Sequence, residues 1–163
     1  MKNLTRIICL TLVVLLGSTG TSWGADYQKG LAAHQSGDFA TALREWKPLA
    51  EQGYVYAQSN LGQMYHNGEG VLQNYKTAFK WYTLAAEQGF ADAQHNLGVM
   101  YRKGEGVPQD YVYAHMWWNV AASNGDEDGG ELRDAVAKEV TATQIEKAQE
   151  LARECVRKEY KGC

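Results

Sequence analysis

The chain has 163 residues, 45% hydrophobic and 21% charged, with 16 Lys+Arg against 19 Asp+Glu and a formal net charge of −3. That length suits one domain able to bury a sizeable core. The near balance of charge, without a block of like sign, gives no basis for nucleic acid or an anionic membrane as the main partner.

Residues 1–24 read as a secretory signal peptide. Lys2 and Arg6 precede an apolar run, Ile7 to Leu16, broken only by Thr11, and the small residues Ser22 and Gly24 lead to a cut before Ala25. The run falls well short of the ~20 residues a spanning helix needs, so no membrane span is expected once the leader is removed. Cys9 follows Arg6-Ile7-Ile8, unlike the small-residue box of a bacterial lipoprotein. The expected location is the periplasm or beyond, with residues 25–163 as the folded domain.

From residue 27 the chain repeats itself. A contracted unit spans 27–56, followed by two full units at 57–92 and 93–128 that agree, without a gap, at 19 of 36 positions. A fixed period in this range marks a solenoid, each unit a supersecondary element completed by its neighbours. In the first full unit Ala57, Leu61, Met64 and Tyr65 form one helical stripe, repeated by Ala93, Leu97, Met100 and Tyr101. Gly62 and Gly98 fall mid-helix, where glycine costs about 1 kcal/mol against alanine. A recurrent cost implies a recurrent reason, and close approach of a neighbouring helix is the simplest.

Gly68 and Gly104 suit the left-handed position that ends a helix. Loops of constant length follow, GEGVLQN and GEGVPQD, closing on Asn74 and Asp110 as N-caps. The next helix carries Tyr75, Ala78, Trp81, Tyr82, Ala85 and Ala86, echoed by Tyr111, Ala114, Trp117, Trp118, Ala121 and Ala122. Large rings on one side and alanines on the other let packed helices interlock. In the contracted unit the loop shrinks to Ser36-Gly37 with Asp38 as cap. Trp46 stands 36 residues before Tyr82, and Pro48 predicts a kink or a compensated turn.

After Gly125 the pattern decays into a half-repeat and a last helix, residues 129–163. Asp126, Glu127 and Asp128 suit a helix start, whereas Gly129 and Gly130 weaken it. Thr141 and Gln144 predict a capping box, with Val140 and Ile145 as its hydrophobic staple. The last helix is expected to cap the end of the core. Cys155 and Cys163, the cysteines left after leader removal, read as one disulfide in an oxidising compartment. Eight residues of helix rise about 12 Å, and a disulfide needs its Cα atoms within ~7 Å. The helix must therefore end and the tail fold back, with Gly162 as one flexible position.

The run A-Q-x-N-L-G-x-M-Y, G-E-G-V, Y-x-x-A-x-x-W, A-A-x-x-G resembles the Sel-1-like repeat, a relative of the tetratricopeptide repeat with a longer inter-helix loop. The resemblance implies an all-α, right-handed solenoid of helical hairpins, about eight helices in all. It also implies a non-enzymatic scaffold for protein–protein contact, common in exported bacterial proteins and signalling adaptors. One cysteine-rich branch is associated with penicillin binding and weak β-lactamase activity, and a cell-wall-directed hydrolase is therefore the rival function. The repeats of this chain lack that branch's paired cysteines.

No Ser-x-x-Lys, Gly-x-Ser-x-Gly or His-Glu-x-x-His occurs, so no catalytic residue, cofactor or metal site is assigned. His34, His66, His95 and His115 lack metal-ligand spacing and read as solvated or hydrogen-bonded surface groups. The Gly-Glu-Gly loops lack the third glycine of a phosphate site and read as serving their own backbone. The functional clue is where the full units disagree: Ser59, Gln63, His66 and Asn67 in one correspond to His95, Val99, Arg102 and Lys103 in the other. By likeness to tetratricopeptide units these line a concave groove for a peptide or helix of another protein.

Overall fold

Local capping rules account for most helix starts in the computed structural model, which describes residues 25–163; the expected leader lies outside them. Asp26 caps α1 (Tyr27–Gln35) and Asp38 caps α2 (Phe39–Glu51), each carboxylate accepting backbone amides of the first turn. Asn74 does the same for α4 (Tyr75–Ala86) and Asp110 for α6 (Tyr111–Ser123). The helices α3 (Val55–Asn67) and α5 (Ala91–Lys103) end at Gly68 and Gly104, both left-handed, at φ 76° and 72°. Past α6 come α7 (Gly129–Val136), a 3-10 turn and α8 (Ala142–Arg157), the last opened by the Thr141–Gln144 capping box. Among the described residues there are eight α-helices and no strand. α2 runs through Pro48 to Glu51 without interruption.

Helices pair as α1–α2, α3–α4 and α5–α6, and each hairpin leans on the next through α2–α3 and α4–α5. The crossings follow the repeat. A β-carbon on Gly30, Gly62 or Gly98 would lie 2.4–2.6 Å from the ring of Trp46, Tyr82 or Trp118 respectively. These rings are the ones that share a repeat position, and all are buried. The sequence accepts the helix penalty of glycine because no other residue lets the ring lie flat on the opposing backbone.

Buried glutamines join the hairpins. Gln58 donates to the Ala50 carbonyl at 3.1 Å and accepts from Gln88 at 2.7 Å. One unit on, Gln94 donates to Ala86 O at 3.1 Å and accepts from Asn124 at 2.8 Å. Each amide thus has its own donor and acceptor paired, sharing a last-turn carbonyl that also accepts Gly53 N at 3.0 Å or Gly89 N at 2.9 Å, which is why a fully buried Gln94 is tolerated.

The C-terminal end keeps the expected capping helix and tail reversal, and adds a second covering helix. α7 shares the closing of the solenoid's end with α8, its Leu132 and Val136 packing with Val99, Ala114 and Trp118. Gly129 is what allows it: a β-carbon there would sit 2.9 Å from Trp118 O and 3.0 Å from Ala122 N, so the glycine serves close approach. α8 lies along α6, with Ala148, Ala152 and Cys155 joining Met116, Trp117 and Val120 in one core. Met116 occupies the register of exposed Lys80 in α4, so α8 covers a face that the preceding unit leaves outward.

The tail folds back as expected. Cys155 and Cys163 are bonded with Cα atoms 5.3 Å apart. The reversal uses left-handed backbone at Glu159 and Tyr160 as well as at Gly162. Tyr160 donates to Asn124 Oδ1 at 2.8 Å, and the Gly162 amide donates to Glu87 at 3.0 Å. Those two contacts give the side-chain-bearing residues a reason to hold a conformation that costs on the order of 1–2 kcal/mol each.

Candidate functional site

The face made by α1, α3 and α5 is built from register rows. Counting from the glycine of each crossing, His34, His66 and Arg102 occupy one position, four residues on. Gln35, Asn67 and Lys103 follow it, and Tyr27, Ser59 and His95 stand three residues before the glycine. The first row meets the unit that comes after it, and the other two make their contacts within their own unit.

In the first row His34 Nε2 faces Glu69 Oε2 at 2.8 Å, and His66 Nε2 faces Glu105 Oε2 at 2.8 Å. With a carboxylate as acceptor, the imidazole Nε2 carries the proton. The glutamates are those of the Gly-Glu-Gly loops. A β-carbon on Gly70 would come 2.5 Å from Phe39 Cβ, and one on Gly106 would come 2.6 Å from the Tyr75 backbone. The second glycine therefore lets the loop lie against the start of the preceding unit's second helix, which carries the glutamate to the preceding histidine. The loops serve inter-unit contact as well as their own backbone. Asn67 adds a bond to Glu69 at 3.0 Å, while Lys103 lies 3.7 Å from Glu105.

The other row pairs Tyr27 with Tyr54 at 5.2 Å between ring centroids, and His95 Nδ1 with Asp126 Oδ2 at 2.8 Å. Asp126 is thus engaged by a histidine, and Asp128 makes no side-chain cap bond to α7. Of the eight predicted lining residues, Gln63, Asn67, Arg102 and Lys103 are exposed. His66 and His95 are half-buried and committed to carboxylates. Ser59 is buried, 8% exposed, and Val99 packs beneath α7, so neither offers a free side chain.

His115 is no surface residue. It is 2% exposed, with Nδ1 lacking a hydrogen-bond partner among the described residues. Burial, reinforced by the Arg133 charge, pushes its pKa below the ordinary value. Glu45 accepts from Lys29 at 2.8 Å and from the Asp26 amide at 3.2 Å, and its pKa is lowered, first by the Lys29 bond.

Two features had no sequence signature of their own. Tyr54 and Tyr56, 41% and 47% exposed, form an aromatic patch with Tyr27 and Phe90 at the starts of α1, α3 and α5. Only the shared register of Tyr54 and Phe90 hinted at it. A cleft of about 620 Å³ between α6 and α8 is lined by Asn119, Val120, Ser123, Glu150, Arg153 and neighbours. The Ser123 hydroxyl there donates to the Asn119 carbonyl at 2.9 Å, and no histidine lines the cleft. No described helix is long and apolar enough to cross a membrane.

Comparison with known proteins agrees with this geometry. The Sel1 repeat model matches residues 55–90 and 91–126, a frame starting two residues before that read from the sequence and at the observed helix starts. No curated protein matches the chain. Among solved structures, one similar protein is c5321, a protective antigen present in uropathogenic Escherichia coli strains displaying an SLR fold. It shows 32% identity and a TM-score of 0.77 over 80% of this chain and 29% of that one. Another is a Sel1 repeat protein from Oxalobacter formigenes, at 29% identity and TM-score 0.67, covering 82% of this chain and 56% of the other. The chain thus spans less than a third of one relative and just over half of the other. The chain carries two Sel1 repeats, set in an all-helical solenoid like those of Sel1-repeat proteins.

Proposed function

We propose that this chain is a non-enzymatic scaffold of the bacterial cell envelope that binds a segment of another protein on the face made by α1, α3 and α5. The observation carrying the reading is that the frame of this face repeats while its lining changes at matched positions, from His66 and Asn67 to Arg102 and Lys103. A rigid frame with variable lining suits recognition of an extended peptide or a helix, since the side chains are held at fixed spacing before the partner arrives. Export with loss of residues 1–24 fits the Cys155–Cys163 bond, which persists in an oxidising compartment.

The test is capture of partners from an envelope extract by the purified protein and by a variant with Gln63, Arg102 and Lys103 all changed to alanine. The variant is expected to keep its melting temperature, because all three side chains are exposed, and to lose the partner. Raised salt should weaken capture as well. Retention of the same partner by the variant moves the interface elsewhere, to the convex face on the opposite side of the solenoid. Nitrocefin turnover by the purified protein, lost on heating, would overturn the non-enzymatic reading.

A further inference from the structure

The histidine–glutamate row stops one rung short. Resting on the scaffold reading above, we propose that Arg102 is its open third rung and takes an aspartate or glutamate side chain of a partner protein. His34 and His66 each meet a carboxylate of the following unit at 2.8 Å. Arg102 stands at the same register, four residues after a glycine pressed against a buried ring. The backbone is braced alike at the second and third rungs: Gln73 Nε2 donates to His66 O at 2.8 Å, and Gln109 Nε2 donates to Arg102 O at 2.7 Å. The unit after α6 has no Gly-Glu-Gly loop. No carboxylate among the described residues comes within 4.0 Å of the Arg102 guanidinium.

The change from histidine to arginine fits an intermolecular rung. An inner rung is closed by folding, which holds both groups in place whatever the imidazole's charge. A rung closed by another molecule needs a charge that is always present and a fork that grips a carboxylate with two parallel bonds. Lys103 adds a second positive charge beside it, partly spent on Glu105 at 3.7 Å. The leading end of a second copy offers no matching loop glutamate. Unit one has Ser36-Gly37 where the others have Gly-Glu-Gly, and its Asp38 already caps α2.

The experiment titrates isotope-labelled protein with a short polyglutamate peptide, with polylysine as control. Amide and guanidinium shifts are expected to centre on Arg102, Lys103 and Gln109, with no response to polylysine. Arg102→Gln should weaken the peptide about tenfold without unfolding the protein, and Arg102→Lys should restore part of the loss. Undiminished binding by Arg102→Gln, shifts centred elsewhere, or no binding of polyglutamate would overturn the rung. The scaffold reading would then still be judged separately by the capture experiment. A dimer in light scattering that Arg102→Gln dissolves would also overturn it, by assigning the site to a second copy.

Discussion

The Trp118 ring lies where a side chain on Gly98 would begin, with Nε1 only 2.5 Å from the site of a β-carbon. Trp118 is 1% exposed and so has no room to step aside. Gly98→Ala should therefore destabilise by about 1–3 kcal/mol, despite an intrinsic helix gain of ~1 kcal/mol. Gly98→Leu should cost more. Urea unfolding measures both, and an unchanged midpoint for either would refute the crossing. Combining Gly98→Ala with Trp118→Leu should cost less than the two changes summed, because the smaller side chain vacates the clash.

His66 and Glu105 join units across the solenoid at 2.8 Å, both side chains less than a quarter exposed. A double-mutant cycle of His66→Ala and Glu105→Ala should give a coupling of about 0.5–1.5 kcal/mol, above that of a fully exposed pair. A coupling indistinguishable from zero would reduce the row to a surface coincidence.

Acid should destabilise the fold through His115. Its folded pKa is lowered from the ordinary 6.5, while the unfolded chain takes up the proton near 6.5. Below that value the unfolded form binds more protons, so the contribution is complete above pH ~6.5 and is lost as pH falls toward the folded value. His115→Phe, the residue at the same register in α4 being Phe79, removes the titrating group and an unpartnered buried nitrogen. The variant should be no less stable at about pH 7.5 and should lose less stability on going to about pH 5.5. Equal losses in both proteins would count against a buried His115 as the source.

The C-terminal staple should act locally. Cys163→Ser is expected to cost no more than about 2 kcal/mol, since the closed loop is short. Hydrogen exchange should rise at Tyr160–Gly162 and at the α6 end around Asn124, leaving α1–α3 unchanged. Mass spectrometry of the oxidised protein without its leader should find one linkage, Cys155 to Cys163, and no free thiol. Two free thiols in protein recovered from the periplasm would remove both the staple and the expected compartment.

Residues 57–128 made the solenoid legible because each determinant is either local or doubled by the period. Asn74 and Asp110 cap through amides two or three residues away, Gly68 and Gly104 end helices by their own backbone, and Thr141 finds Gln144 within one turn. Gly62 and Gly98 announced a crossing because the same cost appears twice, 36 residues apart. What the period does not encode is which side chain of one unit meets which of the next. The pairing of His34 with Glu69 and His66 with Glu105, the burial of Ser59, and the cover that α7 lays over Val99 all depend on contacts between chain-distant residues. Past Gly125 the repeat no longer supplies a template. There only packing decided that Gly129 admits α7 onto α6, that α8 lies along Met116 and Val120, and that Tyr160 turns back to Asn124.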